Sequence, residues 1–412
     1  MDQTSPIDAR RDATIERIVD IVLGNGAISE LTDKYFTNTR VIVEASGDKT
    51  VTYAVFLRRR SIAALEPVLR LIRRLVPEAT IVRHYREGEI VPSEKKMFEV
   101  TGPMSKLSEA ETLLLQKTGF PCISANNAFE MCQAIPYAGF IDMHARHAAG
   151  AEMNLLAAYG ASVGSEAARG VQKDVKGFIG SSQDLTAPLY RSEIGLGTMP
   201  HALIGYTDGD VLTSLKYFSE RIPSVRMLVA LVDYRGLEIT DSLRCAEWFY
   251  GEARLDEKGK SFAVRLDTHG GRFAEGLDYE RSVDTVGEWL DVDGEYNIVE
   301  RVLGQRAFQL DPGNILVDRV RRVLFGKGVS AASVIHARRS LDKAGFKEAQ
   351  IVVSSGFDPQ KCQIMGATKA PVDVVGTGSF LPATLSETYA TADIIAYDGV
   401  PRVKIGREFL FD

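Results

Sequence analysis

Apolar positions in the first part of the chain alternate between two periods. Ile15, Ile18, Val19, Ile21, Val22 and Leu23 recur at helical spacing, and Gly24 ends the run, so residues 10–24 read as a helix. Two β-branched runs, 39–46 and 50–57, flank Gly47-Asp48-Lys49 and predict a β-hairpin. An amphipathic helix over 62–75 and a strand over 79–84 follow. This section therefore mixes helices with antiparallel strands.

Beyond Pro121 the texture changes. Ala- and Leu-rich helical stretches, 126–135 and 150–159, precede short continuous apolar runs with polar or glycine-rich tips. Those runs are 225–233, 262–267, 351–356 and 372–378, and they predict a parallel sheet buried on both faces. The charged, Gly- and Asp-punctuated segment 275–313 reads as an excursion or helix pair between strands. In such α/β folds the site sits at the C-terminal ends of the strands, which directs attention to the tips.

At 412 residues the chain is too long for one small core, so two domains, or a barrel with an appended domain, are expected. A net charge of −6 with 25% charged residues excludes a backbone-driven nucleic-acid partner. No apolar run is long enough to span a bilayer and no signal-peptide core is evident, so a cytoplasmic location without membrane contact is expected. Cys122, Cys132, Cys245 and Cys362 lack zinc-ligand or disulfide spacing and read as buried thiols.

The chemistry-bearing residues cluster at the tips. Asp233 ends one apolar run and Asp267 another, positions from which a carboxylate can hold Mg²⁺ or ribose hydroxyls. Arg265 precedes Asp267 by two and shares its face. Ser354-Ser355-Gly356 and Gly376-Thr377-Gly378-Ser379 are donor-rich loops suited to a phosphate, although each alone is a common turn. Gly197-Thr198-Met199-Pro200-His201 offers backbone and hydroxyl donors ahead of a histidine. Arg146 and His147 can clamp a carboxylate or pyrophosphate, or else decorate a solvated helix start.

The collinear series TDKYF (32–36), LSEAETLLL (107–115), ARH (145–147), GTMPHALI (197–204), LVDYRG (231–236), VRLDT (264–268), VVSSG (352–356) and VVGTGS (374–379) resembles the nicotinate phosphoribosyltransferase family, with archaeal-type GTMPHALI and RLDT elements. The resemblance implies a type II phosphoribosyltransferase: an N-terminal α/β sandwich domain (1–118, completed by 385–412) on an irregular α/β barrel (119–384), working as a homodimer. It implies that nicotinate and phosphoribosyl pyrophosphate give nicotinate mononucleotide and pyrophosphate in NAD salvage, with Mg²⁺ and with ATP as co-substrate. His201 then matches the phosphorylated histidine, and Tyr35 the aromatic that stacks on the base from the neighbouring subunit. Arg146, His147, Thr198 and Arg265 match contacts to base and phosphates, and Asp233 and Asp267 the acids near ribose and metal. Ser354, Ser355, Gly356, Gly376, Thr377, Gly378 and Ser379 match the 5′-phosphate cradle.

Several positions depart from the family. Glu166 stands where a small hydroxyl residue is usual, which leans toward nicotinamide or another donor-bearing base unless Glu166 turns away to pair with Arg169. Asn126-Asn127 replace a basic residue, His269-Gly270-Gly271-Arg272 replace an expected acid, and Ser355 replaces a glycine. These departures keep a non-catalytic nucleotide-binding paralogue as the alternative of another class.

Overall fold

The structure is a computed structural model that describes residues 5–304, 315–378, 381 and 390–411. Its strands are β1 (Thr50–Phe56), β2 (Ser61–Ile62), β3 (Thr80–Arg83), β4 (Ile90–Val91), β5 (Lys96–Pro103), β6 (Gly139–Asp142), β7 (Gly177–Ser181), β8 (Met227–Leu231), β9 (Ser261–Leu266), β10 (Gln350–Val353), β11 (Val374–Thr377), β12 (Thr391–Tyr397) and β13 (Val400–Pro401). The helices that position the site are α1 (Pro6–Gly24), α2 (Ile28–Leu31), α3 (Lys34–Ser46), α4 (Glu66–Leu75), α5 (Met104–Ala134), α6 (Ala151–Val171) and α7 (His201–Tyr206).

One sheet has the order β13-β12-β1-β5-β3 and is antiparallel throughout. The other has the order β7-β6-β11-β10-β9-β8 and is parallel throughout. Strands rich in Val, Ile and Phe and buried on both faces suit it. Ile141, Val229, Ala263, Val352 and Val374, from β6, β8, β9, β10 and β11, form one separate apolar cluster with Met143, Leu196 and Met227. β6 and β8 lie four places apart in the sheet, so a shared cluster requires the sheet to roll around it. The fold class is mixed α/β with a rolled parallel sheet and an antiparallel partner, as the strand pattern predicted.

The β-hairpin over 39–57 is overturned. Residues 34–46 form α3, and β1 instead pairs with β5 on one side and β12 on the other. With both edges of β1 taken, no ladder remains for the preceding run. In the helix Thr39 Oγ1 donates to the Tyr35 carbonyl at 2.8 Å, and Thr37 is buried. Arg40 pairs with Glu109 of α5 at 3.1 Å. β-Propensity yields here to tertiary context.

The predicted 62–75 helix begins only at Glu66, because Ser61-Ile62 pair with Ile90-Val91. Pro121 is no boundary either; it lies inside the 31-residue α5. α6 crosses α5 so closely that a Cβ on Gly160 would stand 2.3 Å from the Pro121 carbonyl, and one on Gly164 would stand 2.0 Å from that of Ala125. The 275–313 segment does hold a helix pair, Tyr279–Leu290 and Glu295–Leu303. All four cysteines are free and buried. No helix among the described residues is long and apolar enough to cross a membrane.

Candidate active site

Because strand side chains alternate, residues two apart climb the inner face of the rolled sheet. Above Ala263 comes Arg265 and then Asp267; above Val352 comes Ser354; above Val374 comes Gly376; beyond Val229 stands Asp233. The apolar cluster is the floor, and these groups form the rim of a cleft of about 630 Å³. The cleft brings together Arg146, His147, His201, Asp233, Arg265 and Asp267, with the loops at Ser354, Ser355 and Gly356 and at Gly376, Thr377 and Gly378. A contiguous arm of about 310 Å³ adds Thr198 and Ser182 beside Met143 and Leu196.

Arg265 is the hub. Its side chain is 9% exposed and donates to Ser354 Oγ (2.9 Å), Thr198 Oγ1 (3.3 Å) and Asp267 Oδ2 (3.3 Å). Burial lowers its pKa from the ordinary value, and the Asp267 carboxylate opposes that shift. Ser354 Oγ in turn donates to Asp267 Oδ1 at 2.7 Å. Asp233 and Asp267 extend from adjacent strands, since β8 and β9 pair directly. His201 opens α7 behind Pro200, and its Nε2 lies 2.9 Å from Asp233 Oδ1. Desolvation, then Arg146 and His144, lower the His147 pKa, favouring a neutral ring at pH 7.

The two glycine loops are shaped by lack of room and by backbone sign. A Cβ on Gly378 would stand 2.6 Å from the Met143 carbonyl oxygen, and one on Gly376 would stand 2.8 Å from Met143 Sδ. Ser355 and Gly356 both adopt positive φ, 76° and 71°. A serine there is strained, which is the physical reason glycine suits the position. The amides of Ser355 and Gly356 have no protein acceptor among the described residues. They are available to an anion.

Two predicted residues stand elsewhere. Glu166, on α6, meets Arg11 at 3.3 Å and Arg191 at 3.5 Å outside the cleft. Arg169 is instead bonded to the carbonyls of Lys176 and Phe178. Tyr35 is 62% exposed on α3 and does not line the cleft of its own chain. Ser379 lies outside the described residues.

The structure also supplies groups the sequence reading did not single out. Asp142 ends β6, fully buried, accepting from His144 N (2.8 Å) and Tyr190 Oη (2.9 Å) and so fixing the turn that carries Arg146. Burial pushes its carboxyl up to about 6. His144 Nδ1 lies 2.9 Å from the Gly378 carbonyl. Asp142 is an acid ending an apolar run, the same signal as Asp233, but the run between Gly139 and Asp142 is only Phe140-Ile141.

No family model and no curated protein matches the chain. Solved structures do. A nicotinate-nucleotide pyrophosphorylase from Pyrococcus furiosus aligns over 92% of this chain and 78% of its own, at TM-score 0.63 and 24% identity. The fold is that of the type II phosphoribosyltransferases. Human nicotinic acid phosphoribosyltransferase aligns over 90% of this chain and 75% of its own (TM-score 0.53, 16% identity). The nicotinate-nucleotide pyrophosphorylase of Francisella tularensis aligns over 96% and 99% (TM-score 0.52, 11% identity). In this type II fold the cleft described above occupies the C-terminal rim of the rolled parallel sheet.

Proposed function

We propose that the chain is a pyridine-base phosphoribosyltransferase that joins nicotinate to phosphoribosyl pyrophosphate, giving nicotinate mononucleotide and pyrophosphate for NAD salvage. The observation that carries this reading is the lining of the cleft. It combines backbone amides at Ser355 and Gly356 that have no protein acceptor among the described residues with two strand-end carboxylates. A contiguous arm bears Arg146, Arg265, Ser182 and Thr198. That set suits a 5′-phosphate, a ribose and a flat base with a carboxylate.

Departure of pyrophosphate leaves positive charge at ribose C1, which the carboxylates of Asp233 and Asp267 stabilise at fixed positions. Arg146 offers a guanidinium to the leaving group or to the base carboxylate. Arg265 is already bonded to three partners, so its part is to hold Asp267 and Ser354 in place and to keep the arm positive. Among the described residues no three His, Cys, Asp or Glu converge as a metal cage. A carboxylate pair of this kind suits Mg²⁺ completed by substrate phosphate and water, held through Asp233 and Asp267. Bound there, the ion neutralises pyrophosphate charge.

ATP enters this reading through His201. Asp233 engages Nε2 and so orients the ring, while Nδ1 has no protein partner among the described residues and is the nitrogen left for a phosphoryl group. Tyr35, exposed on α3, is then supplied to the cleft of a second copy in a homodimer. Glu166 is engaged by Arg11 and Arg191, so it gives no support to an amide-bearing base.

The test is chromatographic detection of mononucleotide from phosphoribosyl pyrophosphate and Mg²⁺ with nicotinate, nicotinamide or quinolinate, with and without ATP. Nicotinate mononucleotide, formed faster with ATP and losing that boost in His201→Ala, is expected. Product from quinolinate alone, or from no base, overturns the assignment.

A further inference from the structure

Behind the Ser355-Gly356 loop stands a lysine that the proposed reaction does not use. Lys361 lies in the first turn of the helix Pro359–Ala367, where Asp358 caps its backbone N–H at 2.7 Å. It is 8% exposed, and its Nζ sits 4.3 Å from the centre of the Phe357 ring. No carboxylate oxygen pairs with Nζ among the described residues; its one hydrogen bond, 2.8 Å, goes to the Ser355 carbonyl.

For stability alone this is a poor place for an ammonium group. It is buried, it lacks an anionic partner, and it sits at the positive end of a helix dipole. Burial drives its pKa down to about 8. A residue that breaks three local rules at once points to a functional demand.

The demand follows from the peptide it grips. In a planar trans peptide the carbonyl and the next N–H point in opposite directions. With the Ser355 oxygen drawn back onto Lys361, the Gly356 N–H points away from the lysine, and Gly356 lines the cleft. The amides of Ser355 and Gly356 have no protein acceptor among the described residues, and both residues line the cleft. We propose that Lys361 is a positioning residue for this loop, pinning the Ser355 carbonyl so that the neighbouring amides meet a phosphomonoester dianion, and supplying positive charge behind it. This inference rests on the reading of the cleft as a phosphoribosyl site.

Titration calorimetry with ribose 5-phosphate, on the full chain, tests it. Lys361→Met is expected to weaken binding about thirtyfold or more while the thermal midpoint stays level or rises. In turnover, KM for phosphoribosyl pyrophosphate is expected to rise far more than kcat falls. Lys361→Gln, which keeps a donor toward Ser355 but no charge, guards against a Met variant that does not fold; it is expected to lose about tenfold. Wild-type affinity in these variants overturns the role of Lys361 and leaves the phosphoribosyl reading standing. A wild-type protein that binds neither ribose 5-phosphate nor phosphoribosyl pyrophosphate overturns both.

Discussion

Replacing Arg265 with Met removes the cation from a nearly closed network while keeping most of the side-chain volume. The guanidinium is 9% exposed and gives hydrogen bonds to Ser354, Thr198 and Asp267 at 2.9, 3.3 and 3.3 Å. Removing one member of a buried pair typically costs about 3–5 kcal/mol, because the other charge is left uncompensated. Asp267 is 17% exposed and keeps the Ser354 hydroxyl, so the low end, about 3 kcal/mol, applies. Neutralising that carboxylate as well should recover part of the loss, with Arg265→Met/Asp267→Asn more stable than Arg265→Met by about 1–2 kcal/mol. Urea unfolding of the wild type, both single variants and the double variant measures the cycle. An Arg265→Met cost below about 1 kcal/mol, or strictly additive single costs, would refute a buried, coupled pair.

Ser355→Val should destabilise by about 2 kcal/mol or more, because a β-branched residue resists positive φ, whereas Ser355→Gly should be neutral or stabilising by up to about 1 kcal/mol; thermal unfolding compares them. Gly378→Ala pushes a methyl into the Met143 carbonyl and displaces the turn bearing Arg146 and His147, so kcat/KM should fall about a hundredfold or more while the protein stays folded by circular dichroism. Asp142 has a raised folded pKa, about 6 against an ordinary 3.8, so the native state binds the extra proton and wild-type stability declines as pH rises through that window. Asp142→Asn lacks this term. Its stability relative to wild type should therefore improve by roughly 2–3 kcal/mol between pH 3.5 and pH 7.5, read from urea midpoints at the two values; an unchanged difference would contradict the burial of a charge at Asp142.

Where the sequence was readable, one physical signal dominated: a short apolar run ending in a polar or glycine tip. It located β8, β9, β10 and β11 and, with them, Asp233, Asp267, Ser354 and Gly376 on one rim. β6 and β7 escaped because glycine leaves each with only two consecutive apolar residues, Phe140-Ile141 and Phe178-Ile179. Their tips, Asp142 and Ser182, went unassigned with them. The α3 run was misread for a different reason. Thr39, Val41, Ile42 and Val43 carry β-propensity, but the fate of that segment depends on β12, some 350 residues away, taking the open edge of β1. Glu166 shows the limit of matching by position: its partners Arg11 and Arg191 come from α1 and from the turn after β7, contacts that spacing along α6 does not encode.

The most direct test of the central claim is phosphorus NMR of the wild-type protein with phosphoribosyl pyrophosphate, Mg²⁺ and nicotinate. The account predicts that the pyrophosphoryl signals of the donor give way to free pyrophosphate and a mononucleotide 5′-phosphate in equal amounts. The same spectrum is expected to stay unchanged when nicotinate is left out. A donor that persists with nicotinate present, or that breaks down at the same rate without any base, would contradict it.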